Sequence, residues 1–329
     1  MMAIRLHSQT CPKLIPRTTK AKCGELLPAL STLPLIDFIL ITDLSLPSSP
    51  LSFSLLVTLS STVVQDLGSD FRDSKEHGGD PTTRAAVAML HQNPVVSDLI
   101  ATGLSGTIAL SLLRSFEETA KRHVFDQKLN RKLMHISIGL VFMLCWPMFS
   151  SGHRGALLAA CIPGLNIIRM LLIGSGMWKD EATVKSMSRF GDRRELLKGP
   201  LYYALTITVA CAFYWRTSPV AIAAICNLCA GDGIADIVGR RLGSQKIPYN
   251  RNKSIAGSVA MALAGFLASL GFMFYFSTFG YVQKSWEMIL GFLIVSLASS
   301  FVESLPISTE LDDNLTVTLT SLLLGNLLF

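Results

Sequence analysis

The hydropathy of this 329-residue chain changes character near residue 95. Beyond it, long apolar stretches alternate with short charged ones, and the pattern predicts spans at 95–113, 136–151, 155–177, 200–215, 219–238, 255–279, 286–302 and 314–329. Apolar runs of about 18 or more residues are long enough to cross a hydrocarbon core as helices. A buried core helix in a soluble enzyme rarely repeats that pattern so often. The expected fold is all-α, a polytopic helical membrane protein with about 7–8 transmembrane helices. Gly, Pro and small residues inside several spans allow the helices to approach closely in lipid.

The segment before residue 95 reads differently. Arg5, Lys13, Arg17, Lys20 and Lys22 precede the first acid, Glu25, and Ser, Thr and Leu then dominate. A basic, hydroxyl-rich, acid-poor leader has the character of an organelle transit peptide. Residues 33–64 are apolar but broken by Pro34, Asp37, Asp43, Pro47 and Pro50, which argues against a membrane helix there. Residues 66–84 are polar and mixed in charge, as in a flexible linker. The expected division is a plastid transit peptide with a disordered linker over 1–88 and a membrane domain over 89–329.

Composition supports the membrane reading. Half the residues are hydrophobic and 16% are charged, with a mean hydropathy of +0.45. The net charge of +6 would suit nucleic acid, but the basic residues flank apolar spans and are not interleaved with aromatics, so no nucleic-acid partner is expected. Cys226 and Cys229 form a lone C-x-x-C in an apolar setting and read as small packing residues.

The charges are also sorted by side. The first, third and fifth loops hold six, six and five Lys or Arg residues, whereas the second, fourth and sixth hold only Arg154, Arg216 and Lys284. Alternate loops share a side of the bilayer, so the rich side is cytoplasm-like or stroma-like. The seventh loop, on that same side, carries Glu303, Glu310, Asp312 and Asp313 and no base. Topology does not require that acid. A face with both signs suits a metal-bound polyanion, with cations on phosphates and carboxylates on Mg²⁺.

The densest motif runs from Ala230 to Ser258. Asp232 and Asp236 are spaced i, i+4 at the end of an apolar span, where carboxylates are costly and usually functional. Gly231, Gly233, Gly239 and Gly243 leave backbone open to a ligand or serve helix packing. Arg240, Arg241, Lys246, Arg251 and Lys253 follow without an acid, and Lys253-Ser254 opens the next helix, where phosphates favour the free N–H groups. Asp312-Asp313-Asn314 precedes the last span, and its bland explanation is an N-cap. Arg131-Lys132-x-x-His135 opens the second span with phosphate-contact spacing, although an isolated histidine is commonly structural. Gly191–Gly199, with Arg194 and Lys198, suits either substrate contact or interfacial salt bridges.

Together these motifs resemble the polyprenol kinase family, which includes dolichol kinases and plastid phytol kinases. The resemblance covers about residues 90–329. It rests on Gly231–Ser258, Val302–Asn314, Phe125–His135, Gly139–Pro147, Ser186–Arg189, Gly191–Tyr203 and Cys226–Gly233. It implies a chloroplast, multi-pass membrane enzyme that moves the γ-phosphate of a nucleoside triphosphate, typically CTP, to an isoprenoid alcohol in the bilayer: farnesol, geranylgeraniol or phytol. On that reading Asp232, Asp236 and Glu303 hold Mg²⁺. Gly231, Gly233, Arg240, Arg241, Gly243, Lys246, Lys253, Ser254 and Gly257 bind the nucleotide. Asp312, Asp313 and His135 are the catalytic candidates, with Asp312 or Asp313 accepting the hydroxyl proton. Arg131, Lys132, Arg194 and Lys198 are candidate phosphate contacts. A phosphatidate cytidylyltransferase-like enzyme shares part of the layout but lacks its Lys-Asp and His-Gly-Gly signature here. A transporter would place polar residues near the bilayer midplane, whereas these gather at one edge.

Overall fold

The computed structural model describes residues 94–306 and 311–329, so the expected leader and linker, and Glu310, lie outside the described residues. Helix α1 spans Pro94–Lys121 and α2 spans Gln127–Leu144. After a 3-10 turn at Trp146–Met148 come α3 (His153–Ser175) and the short α4 (Glu181–Met187). A second 3-10 turn at Arg193–Leu197 leads into α5, Gly199–Val209, which a π turn extends to Tyr214. Helix α6 (Pro219–Cys226) passes through a π turn at Asn227–Asp232 into α7 (Gly233–Leu242). Strands β1 (Lys246–Ile247) and β2 (Asn250–Ser254) precede α8 (Ile255–Thr278), α9 (Trp286–Ser304) and α10 (Asp313–Leu328).

Among the described residues, six helices are long and apolar enough to cross a membrane. Helices α2 and α10 complete the bundle without meeting that length and composition. The 18 residues of α2 open with a basic turn, and α10 has 16 residues. Both nevertheless run the depth of the bundle. Just beyond α2, the Ser150 N–H donates to Asp98 near the start of α1 (2.6 Å). At the two ends of α10, Asn314 donates to the Gly199 carbonyl (3.1 Å) and Asn326 to the Tyr214 hydroxyl (2.7 Å). Those partners mark the two ends of the α5 segment, so the helices lie side by side.

Most elements follow the expected spans within a few residues, but α2 begins at Gln127, nine residues before the expected start at 136, and two further differences stand out. Helix α1 continues two turns past residue 113, because Arg114 and Glu117 are satisfied on the helix. Glu117 is buried and meets Arg169 of α3 (3.3 Å) and the Thr183 hydroxyl of α4 (3.0 Å). Residues 246–254, read only as a basic loop, form a small antiparallel hairpin that pairs Lys246 with Ser254 and Ile247 with Asn250. Pro248 lies in its turn, where a missing N–H costs nothing.

The Pro219–Leu242 segment is the centre of the bundle. Of its apolar window 83% is buried, against 28–44% for the other five long helices. Its sequence explains this: Val-Ala-Ile-Ala-Ala-Ile-Cys is apolar on every side, the signature of a helix surrounded by others. Small residues let neighbours come close. At Gly265 of α8 any Cβ would overlap the Asn227 side chain, so glycine is required there.

Candidate functional site

The charged edge of the bundle gathers chain ends from five elements. The first turns of α2 bring Arg131, Lys132 and His135. The π turn brings Asp232, β2 brings Lys253, the last turn of α9 brings Glu303, and the start of α10 brings Asp312 and Asp313.

The π turn shapes this edge. Widening the helix by one residue takes carbonyls out of the regular ladder, and such turns recur at functional sites. The Leu228 carbonyl accepts a hydrogen bond from His135 Nε2 (2.8 Å), which fixes the proton on that nitrogen. His135 is held in turn by Tyr203, whose hydroxyl donates to the His135 carbonyl (2.7 Å) and whose ring packs 4.4 Å from the imidazole. The same Nε2 lies 3.5 Å from Asp232 Oδ2, so His135 touches both the turn and the acid it carries.

Asp232, Glu303 and Asp313 converge, each offering an oxygen within 4.8 Å of the others. Asp232 and Glu303 are almost fully buried (3% and 4% exposed), which is costly for carboxylates unless they are paired. Lys132 Nζ lies 2.7 Å from Asp232 Oδ2. Lys253 Nζ donates both to Glu303 and to Asp313 Oδ2, the latter at 2.9 Å. Burial alone would lower the Lys253 ammonium's pKa, but Asp313 and Glu303 outweigh it and hold it above the usual lysine range. Glu303 also sits at a helix C-terminus, where the dipole disfavours an anion, so Lys253 compensates twice. Three carboxylates meet the ammonium groups of Lys132 and Lys253, and Asp313 Oδ1 is buried with no hydrogen-bond partner among the described residues. These are hard oxygen donors with residual negative charge, a set that fits Mg²⁺.

Adjacent residues of the acidic loop divide their work. Asp313 faces the carboxylates, whereas Asp312 caps α10, its Oδ1 accepting from the Asn314 N–H (3.0 Å) and side-chain amide (2.8 Å). Oδ2 of Asp312 is left toward Arg131. Gly199 makes that approach possible: a Cβ there would sit 2.9 Å from Arg131 Nη2 and 3.2 Å from Asp312 Oδ2. Arg131 has no hydrogen-bond partner among the described residues. Its guanidinium lies over the N-terminus of α5, where free N–H groups also favour an anion.

Other expected site residues lie farther out. Asp236, one turn beyond Asp232, pairs with Arg240 (2.7 Å), which also approaches Asp126 (3.7 Å). Arg241, Lys246, Arg194 and Lys198 are exposed around the rim. Ser254 caps α8 through the Gly257 N–H (3.2 Å). Packing accounts for the glycines: Gly231 abuts Met261, Gly233 abuts Ile136, and Gly243 and Gly257 close around Ser254. Gly199 and Tyr203 were quoted in the motif but not singled out, since their partners are distant in sequence. Nothing local signals the π turn.

No family model and no solved structure matches the chain. Curated proteins do. A probable phytol kinase 3, chloroplastic, of Glycine max is 70% identical over 240 residues, 73% of this chain and 75% of its own length. The farnesol kinase, chloroplastic, of Arabidopsis thaliana is 57% identical over 286 residues, 86% of this chain and 93% of its own. A probable phytol kinase 2, chloroplastic, of Oryza sativa subsp. japonica is 64% identical over 247 residues, 75% and 81% of the two chains. At this identity and coverage the chain belongs to the family of chloroplast farnesol and phytol kinases, and its helical bundle is a kinase of the chloroplast membrane.

Proposed function

We propose that the protein transfers the γ-phosphate of CTP to farnesol in the bilayer, giving farnesyl monophosphate, with geranylgeraniol and phytol as related acceptors. The observation that carries this reading is the convergence of Asp232, Glu303 and Asp313 at the basic edge of a membrane bundle. Phosphoryl transfer asks a protein for positioning and charge neutralisation more than for covalent chemistry. Asp232, Glu303 and Asp313 would hold Mg²⁺, with Asp313 in the place expected for Asp236. The ion supplies charge neutralisation on the phosphate oxygens.

The remaining roles follow from which groups are already satisfied. Arg131 is unpaired and faces the α5 N-terminus, so it is assigned to the transferred phosphoryl group. Exposed Arg241 and Lys246, with Arg240, line the rim and draw in the triphosphate. Asp312 Oδ2 is not used in capping and is the candidate that accepts the hydroxyl proton. The prenyl chain remains in the apolar bundle or lipid, so partitioning supplies much of its binding.

Purified protein incubated with γ-labelled CTP and farnesol, phytol, geranylgeraniol or diacylglycerol tests the assignment. The expected product is a labelled isoprenoid monophosphate, strongest with farnesol. With phosphatidate as a further acceptor, label released as pyrophosphate would instead identify a cytidylyltransferase, and no product with any alcohol would refute the kinase assignment. Competition by unlabelled UTP, GTP and ATP reads the nucleotide preference.

A further inference from the structure

The cation closest to the converging carboxylates already occupies them. Lys253 reaches in from β2 and bonds Glu303 and Asp313 together, two of the three residues whose oxygens meet within 4.8 Å. Its ammonium therefore uses oxygens that a divalent cation would need. Lysine and Mg²⁺ are both compact, strongly hydrated cations, and two such charges on the same oxygens repel.

The backbone around Lys253 is fixed on both sides, while its side chain is 19% exposed. Upstream, the Asn250 side chain donates to the Ser304 carbonyl (3.1 Å), and Tyr249 meets the Ser304 hydroxyl (2.8 Å). Downstream, Ser254 caps α8. Between these anchors, Arg251 and Asn252 are exposed and Lys253 is half-buried, at the end of a flexible four-carbon stem.

We propose that Lys253 is a resident stand-in for the metal, holding Glu303 and Asp313 in register until a metal–nucleotide complex arrives and then moving from the carboxylates to a phosphate. This rests on the metal reading given above. It adds an order of events: bare metal competes with an ammonium already in place, whereas metal carried by a triphosphate brings an anion to receive that ammonium. Metal and nucleotide thereby strengthen each other's binding, a reciprocity required by linkage. The device also explains how buried Glu303 and half-buried Asp313 tolerate each other before substrate binds.

Mn²⁺ binding to the purified full-length chain in detergent, followed by electron paramagnetic resonance without nucleotide, is the test. Lys253→Met should bind Mn²⁺ at least about tenfold more tightly than wild type, since a competing charge is gone. Adding Glu303→Gln to that variant should remove the gain. Wild type binding Mn²⁺ as tightly as Lys253→Met would overturn the stand-in while leaving the metal site intact. No Mn²⁺ bound by either protein would overturn the metal reading itself. If Lys253→Met does not fold, amine labelling of wild type read by mass spectrometry decides the matter. Labelling of Lys253 should rise as Mn²⁺ fills the site, and unchanged labelling with Mn²⁺ bound would overturn the proposal.

Discussion

The two edges of the bundle handle buried charge in opposite ways. At the edge opposite the site, Arg216 is 2% exposed and carries no ion pair among the described residues. It donates to the carbonyls of Trp146 (2.9 Å) and Phe149 (2.6 Å) and lies 4.0 Å from the Tyr281 ring centre. Asp98 is likewise used up locally by the Ser150 N–H and hydroxyl. Each charge there closes a loop. At the site edge, three acids are drawn together from distant elements and their partners do not balance them. At the far edge buried charges are held singly by nearby carbonyls and N–H groups, with Arg216 Nε left over among the described residues, whereas at the site edge three like charges accumulate.

The sharpest way to break that contrast is to neutralise one converging acid. Asp232→Asn keeps the shape of the side chain and removes its charge. It should lower kcat/KM by about 10³-fold, the upper range for losing one preorganised electrostatic group. Membrane insertion and the thermal midpoint in detergent should change little. Near-normal activity would show that the cluster is merely structural. Arg131→Met is expected to come next, with about a 10²-fold loss carried mainly in kcat if the guanidinium acts on the transferred phosphoryl group. A loss confined to KM for the nucleotide would place Arg131 at the entrance instead.

How much of this was legible beforehand depends on sequence distance. The spans were readable because each is a local run of apolar residues, and the basic side because it is a sum over loops. The acids Asp232, Glu303 and Asp313 were readable as costly charges at span ends. Their grouping was legible in part: Glu303 was placed with Asp232 across 71 positions, but i, i+4 spacing pointed to Asp236 as the third acid where the structure brings in Asp313. The pairing of Lys132 with Asp232, which joins residues 100 positions apart, was not legible. The π turn has no sequence signature, yet it presents the Leu228 carbonyl to His135 Nε2, which also lies 3.5 Å from Asp232 Oδ2.

The opposite edge makes a complementary prediction. Arg216→Met would strand the Phe149 carbonyl, while the Trp146 carbonyl keeps the Phe149 N–H, costing roughly 1–3 kcal/mol of stability. The thermal midpoint in detergent should fall, while kcat of the protein that remains folded should match wild type. A selective loss of kcat without a shift in midpoint would mean that the two edges communicate, and the division of labour drawn here would fail.

The smallest expected effect is the most discriminating. Asp236 stands four residues from Asp232 on the same run of helix, with its carboxylate already bound to Arg240 in a pair about one-third exposed on each side. Exposed pairs of this kind contribute roughly 0–1 kcal/mol, so Asp236→Asn should change stability and kcat/KM by less than about threefold-equivalent energy. Freeing Arg240 could even favour nucleotide capture, read as a slightly lower KM that disappears at high salt. If Asp236→Asn were instead as damaging as Asp232→Asn, the functional acids would extend a full turn outward. Arg240 would then play the part toward Asp236 that Lys253 plays toward Glu303, releasing the acid when nucleotide binds. Only the Asp236→Asn measurement separates a site that ends at Asp232 from one that continues to the rim.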